Sequence, residues 1–113
     1  MFKTLVTIGK SNNHYVFLVP VNSELDLKKA ASAVNEKSIE MIKSKDLLPL
    51  TGYIHGGCSP IGMKKFFTTT IDISANDKEK IIFSGGKIGL QIETTLLELS
   101  KVIKFSLNDI KKI

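Results

Sequence analysis

The sequence predicts an α+β domain: a mixed, curled, barrel-like β-sheet with flanking helices. Three observations predict it. Short runs rich in β-branched and aromatic residues outnumber the amphipathic helical stripes. These runs do not alternate strictly with helices, as a doubly wound parallel sheet would require. The length of 113 residues gives room for one domain, 1–113, with a core of its own.

The elements follow in order. Residues 3–9, Lys-Thr-Leu-Val-Thr-Ile-Gly, read as a strand. Ser11, Asn12 and Asn13 mark a turn. Residues 14–21 are almost continuously apolar, which predicts a strand buried on both faces and paired with the first as a hairpin. Asn22 and Ser23 open a helix, with Asp26 near its positive end. Leu25, Leu27, Ala30, Ala31 and Val34 give that helix a core-facing stripe. Residues 38–42 form a short strand. A helical turn begins at Ser44 or Asp46 and stops near Pro49. Residues 51–62 hold four glycines and one proline, so this stretch is an irregular loop with special backbone angles. Strands follow at 66–73, 80–84 and 90–93, with a second glycine-rich loop at 85–89. Thr94 or Thr95 caps a helix running to Val102, which turns Leu96, Leu97, Leu99, Val102 and Ile103 inward. A short strand at 104–106 and a lysine-rich tail close the chain.

Composition narrows the function. Hydrophobic residues make up 42% and charged residues 24% of the chain, ordinary for a globular protein and too apolar for disorder. The longest apolar run, 15–21, is too short to span a bilayer. Residues 1–10 carry no secretion signal, so a cytoplasmic location and no membrane partner are expected. Sixteen basic against eleven acidic residues leave a net charge of +5, and every basic residue is a lysine. Lysine attracts phosphate as a point charge but lacks the planar fork that reads a base edge. An RNA or nucleotide partner fits this charge, and sequence-specific DNA does not. The same charge also serves solubility alone.

Neither glycine-rich loop matches a nucleotide fingerprint. Gly85-Gly86-Lys87 lacks the earlier glycine of a P-loop, and Ile88 stands where a magnesium-binding hydroxyl belongs. Gly56 and Gly57 are not followed by a helix at dinucleotide spacing. The loops can offer backbone N–H groups to a ligand, or they are simply tight turns. Cys58 lies near His55 in sequence, but a shared loop does not ensure hydrogen-bond geometry. A single cysteine excludes an internal disulfide and a multi-cysteine metal site. Two histidines, His14 and His55, without acidic neighbours make no zinc site. Ser84 is a positioning hydroxyl without a nucleophile elbow. Lys3 and Lys87 are phosphate binders or ordinary surface lysines.

Taken together, Gly52-Tyr-Ile-His-Gly-Gly-Cys-Ser-Pro-Ile-Gly-Met-Lys-Lys65, Ile71-Asp72 and Phe83-Ser-Gly-Gly-Lys-Ile-Gly-Leu-Gln-Ile-Glu93 resemble the YbaK/EbsC family. Its members are aminoacyl-tRNA deacylases related to the editing (INS) domain of bacterial prolyl-tRNA synthetase. Phe2-Lys3-Thr4-Leu5 and Leu25-Asp26-Leu27-Lys28-Lys29 fit the same pattern in order, so the resemblance covers essentially the whole chain. It implies a YbaK-like α+β editing fold and trans-editing hydrolysis of a mischarged aminoacyl ester, typically Cys-tRNA(Pro). The implied catalytic residues are Lys3, Gly56 and Ser84. Gly57, Ser59, Asp72, Gly85, Gly86 and Lys87 are implied substrate-binding residues. No cofactor or metal is implied. The implied partners are the 3′ end of an aminoacyl-tRNA and a prolyl-tRNA synthetase. In this branch the substrate's own thiol attacks the ester, which accounts for the lack of a protein nucleophile. The alternative is a non-catalytic tRNA- or synthetase-binding module on the same fold. Three departures stand out. The chain is short at its N-terminus compared with the family, Thr69 replaces a common proline, and Ile88 replaces a common arginine.

Overall fold

The hairpin forms first in sequence and sits at the middle of the sheet. In the computed structural model, which describes all residues from Met1 to Ile113, β1 (Phe2–Gly9) runs antiparallel to β2 (His14–Pro20). Lys3 lies opposite Val19 and Thr7 opposite Tyr15. The turn between them holds Asn12 at φ 72, a left-handed angle that asparagine tolerates. On its other side β2 pairs in parallel with β4 (Thr68–Asp72), which pairs in parallel with β7 (Ser106–Asn108). The short β3 (Ile39–Met41) covers the far end of β1, giving the order β3-β1-β2-β4-β7. A separate antiparallel ribbon is made by β5 (Ile81–Ser84) and β6 (Gln91–Thr94). The sheet is mixed and flanked by helices, as expected, and it does not close into a barrel.

β2 is buried on both faces because it is central and each face has its own core. Val16 and Leu18 join Phe2, Val6, Ile71, Ile81, Phe83 and Leu99 on one face. Phe17 and Val19 join Ala30, Ala31, Ile39 and Ile110 on the other. The alternation of a strand divides the run between the two.

Several boundaries differ from expectation. The first helix, α1 (Leu27–Ala33), opens at Asp26 rather than at Asn22 or Ser23. The Asp26 carboxylate accepts the N–H groups of Lys28 and Lys29, both at 3.0 Å. Leu25 bridges to Lys111, which holds residues 24–26 extended and delays the helix. Leu27 is therefore exposed rather than part of the stripe. α2 (Ser44–Thr51) runs past Pro49 instead of stopping there. Proline's missing N–H costs only the one bond back to Lys45. The last turn is fastened by Thr51 Oγ1 donating to the Leu47 carbonyl at 2.8 Å and by Gly52 N–H donating to the Leu48 carbonyl at 2.9 Å. The third helix, α3 (Leu96–Ser100), is capped by Thr95 and ends before Val102, leaving Leu97 and Val102 exposed. β4 starts two residues late because Phe66 is exposed, and β7 follows the parallel register to Asn108.

Asp72 belongs to this framework. It is fully buried. One carboxylate oxygen accepts Ser74 N–H at 3.1 Å, starting a 3-10 turn at Ile73–Asp77, and the other accepts Ile110 N–H at 3.0 Å. Burial alone would raise its pKa. The hydrogen bonds from Ser74 and Ile110, with Lys111 nearby, outweigh burial and hold the carboxyl below its ordinary 3.8. A depressed carboxyl adds stability above its unfolded pKa and loses it as pH falls through its folded pKa. Asp72→Asn is expected to cost about 1–3 kcal/mol at neutral pH, since one N–H loses its acceptor. Urea denaturation should show that cost shrinking as pH falls below the ordinary carboxyl value and on through the lower folded one.

Candidate active site

β3 accompanies β1 only from Thr7 to Gly9, with one further bond from Ile42 N–H to the Val6 carbonyl. Beyond Ile42 the chain turns away into α2, so residues 2–5 of β1 have no hydrogen-bonded strand on that side, and β5 packs close to β1 without pairing with it. A cleft of about 510 Å³ opens along this edge. All residues from Met1 to Val6 line it. A strand's face would contribute only alternate residues, so the cleft follows the edge. Its floor is apolar, from buried Phe2, Val6, Leu47 and Cys58.

The three residues expected to be catalytic meet here: Lys3, Gly56 and Ser84 all line the cleft. Lys3 comes from β1, Gly56 from the first glycine-rich loop and Ser84 from the end of β5. Lys3 is half-buried and takes part in none of the ion pairs of the protein. Ser84 Oγ accepts the N–H of Gly86 at 3.2 Å, which fixes the second loop and leaves the hydroxyl proton available.

The two loops pack against each other, a relation with no local signal in the sequence. A Cβ built on Gly57 would lie 3.3 Å from the backbone nitrogen of Ile88 and 3.4 Å from the Lys87 carbonyl carbon. Glycine at 57 thus permits close approach of two backbones. Gly56 has φ 85, where L side chains are strained. The N–H of Gly57 donates to the Ile54 carbonyl at 3.0 Å, closing a turn, whereas those of Gly56 and Cys58 donate to no protein acceptor. Gly56 and Cys58 both line the cleft. The backbone donors left available beside the cleft are therefore those of Gly56 and Cys58.

The remaining expected residues lie outside the lining. Ser59 is buried and its hydroxyl accepts Ile61 N–H at 3.2 Å, which shapes the loop. Gly85 and Gly86 form the turn behind Ser84, where added Cβ atoms would meet Leu90 and Tyr53. Lys87 is exposed. Asp72 is locked in the sheet, as described. The sequence reading missed Met41, Ile42, Lys43, Ser44 and Leu47 as cleft residues. They carry no motif and become wall only because β3 leaves β1 early.

Cys58 is a poor nucleophile in this setting. Burial pushes its thiol up to about 11, so it is un-ionised at neutral pH. Cys58→Ala removes an inert thiol and a little packing, and no ionised nucleophile.

Comparison with known proteins agrees with the geometry. The model of the aminoacyl-tRNA editing domain family matches residues 1–102. An Enterococcus faecalis protein, named provisionally as the Cys-tRNA(Pro)/Cys-tRNA(Cys) deacylase EbsC, is 54% identical over 93 residues. That match covers 82% of this chain and 57% of the relative, so the chain spans little more than half the relative's length. The crystal structure of a protein provisionally described as a trans-editing enzyme for prolyl-tRNA synthetase superposes with a TM-score of 0.87 at 26% identity. That superposition covers 99% of this chain and 70% of the other. The hypothetical protein APE2540 shares the fold, with a TM-score of 0.90 at 19% identity over 99% of this chain and 74% of its own. No helix is long and apolar enough to cross a membrane. On this evidence the chain belongs to the aminoacyl-tRNA editing domain family.

Proposed function

We propose that this chain is a trans-editing deacylase that cleaves a mischarged aminoacyl-tRNA, with Cys-tRNA(Pro) as its leading substrate. The observation that carries this reading is the convergence of Lys3, Gly56 and Ser84 on one cleft whose only thiol is un-ionised. The relative named as a Cys-tRNA(Pro)/Cys-tRNA(Cys) deacylase supports the substrate class.

The chemistry is substrate-assisted. The cysteinyl thiol loses its proton and attacks the ester carbonyl. A C–S bond forms, the C–O bond to the terminal ribose breaks, and the ribose oxygen takes up a proton. The released thiolactone is opened by water. The N–H groups of Gly56 and Cys58 stabilise the oxyanion of the tetrahedral intermediate, Ser84 orients the aminoacyl group or ribose, and Lys3 holds the anionic tRNA end. No step asks for a protein nucleophile.

The test is incubation with a panel of aminoacylated tRNAs that includes Cys-tRNA(Pro) and Ala-tRNA(Pro). Selective loss of the cysteinyl ester, with thiolactone as the first product, is the expected result. A folded chain that leaves every ester intact would overturn the reading and make the protein a tRNA- or synthetase-binding module.

A further inference from the structure

The two glycine-rich loops meet at a second place besides Gly57. Tyr53, near the start of the first loop, is half-buried against the core and does not line the cleft. Its N–H donates to Thr51 Oγ1 at 3.0 Å, and its hydroxyl donates to the Ile61 carbonyl at 2.5 Å. The side chain thus ties together the two ends of residues 53–61, the segment that carries Gly56 and Cys58. Two glycines make room for the ring. A Cβ built on Gly62 would lie 2.9 Å from the Tyr53 hydroxyl oxygen, and one built on Gly86 would lie 3.0 Å from its Cε1. Gly62 ends the first loop and Gly86 belongs to the second, so the ring is held between both.

Gly86 is one hydrogen bond from the site, since its N–H donates to Ser84 Oγ at 3.2 Å. The next two residues, Lys87 and Ile88, lie against Gly57. Residues 86–88 therefore rest on the first loop at consecutive points, and Tyr53 is the contact nearest Ser84. We propose that Tyr53 is a positioning residue for deacylation: its ring spaces the second loop from the first and so sets the Ser84 hydroxyl relative to the backbone donors of Gly56 and Cys58. It touches neither the ester nor the tRNA. The proposal rests on the proposed function for the reaction it serves. The two ends of the side chain have different tasks. The hydroxyl fastens the first loop to itself, whereas the ring edge holds Gly86. Removing the hydroxyl keeps the spacing between the loops. Removing the ring frees the Gly86 turn to move into the space left, and Ser84 Oγ moves with it.

The test joins amide hydrogen exchange at Gly86, read by NMR on the full chain, to steady-state deacylation of Cys-tRNA(Pro). Tyr53→Leu is expected to speed exchange of the Gly86 N–H by about tenfold. It should lower kcat by about 100-fold, the cost of misplacing a group by about 1 Å, with KM within about twofold because Lys3 is untouched. Tyr53→Phe keeps the ring edge and should bring both readouts back near wild type. A role in folding alone would lower the melting temperature and leave kcat of the folded variant unchanged, and that outcome overturns the proposal. Gly86 exchange that Tyr53→Leu leaves unchanged overturns it too. If Tyr53→Leu does not fold, Gly62→Ala takes its place. Its Cβ crowds the Tyr53 hydroxyl oxygen, so it should lower kcat. Adding Tyr53→Phe removes that oxygen and should recover about threefold or more of the loss, since residues in contact couple. No recovery sinks the proposal. A wild type that cleaves no ester fails the proposed function instead, and Gly86 exchange then decides the loop contact by itself.

Discussion

Lys3→Ala is expected to lower kcat/KM for aminoacyl-tRNA by about 100-fold or more, with little change in folding. The stability half of this expectation follows from the surroundings of Lys3. It makes no ion pair, and its backbone pairing with Val19 belongs to the main chain. A substitution that removes no cap, cavity filler or buried partner stays within about 0.5 kcal/mol. The activity half follows from the cleft. With no acid lining it, the Lys3 charge is uncompensated until an anionic substrate arrives. A cation beside an apolar floor is less screened than one in open water. Removing it leaves the tRNA end without that anchor while the ester's donors remain. Single-turnover deacylation and a urea midpoint, measured on the same preparation, separate the two halves. An unchanged rate in a folded variant would remove Lys3 from the site.

Much of the fold was legible because its signals are local. The continuous apolar run of β2 announced burial on two faces, and the two faces now hold separate cores. The boundaries that moved did so for non-local reasons. Ser23 and Asp26 are both good caps on paper. What chose Asp26 was the bridge from Leu25 to Lys111, eighty-six residues away in the chain. Pro49 reads as a stop, yet Thr51 and Gly52 supply the bonds that carry the helix past it.

The site divides in the same way. Its glycine-rich loops stood out by composition, and Lys3 only through the family resemblance. Their mutual geometry did not, because Gly57 is explained by the backbone of Lys87 and Ile88, which no spacing rule connects. The walls from Met41 to Leu47 were silent for a related reason. They line the cleft because a strand stops pairing, and the end of a pairing leaves no residue pattern.

Gly56→Ala carries the second large effect, and its cause separates cleanly from crowding. A Cβ at this position would meet Ile88 Cγ1 at 3.7 Å, ordinary contact distance. The obstacle is φ 85, which costs an alanine about 1–2 kcal/mol. The loop can relieve that strain by rotating the peptides on either side of residue 56. Such a rotation swings the Gly56 N–H, and with it the adjoining turn that Gly57 closes on Ile54. Loss of one aligned donor to an oxyanion lowers kcat by about 10²–10³-fold, so Gly56→Ala is expected to lose about that much activity for a modest loss of stability. Gly89→Ala is the matched control. Gly89 has φ 86 and nothing within 4 Å of its added Cβ, and it does not line the cleft. It shares the backbone cost but not the position. The two variants should therefore melt alike and differ by about 100-fold in single-turnover rate. If Gly89→Ala loses as much activity as Gly56→Ala, the effect belongs to loop stability rather than to a donor aimed at the substrate.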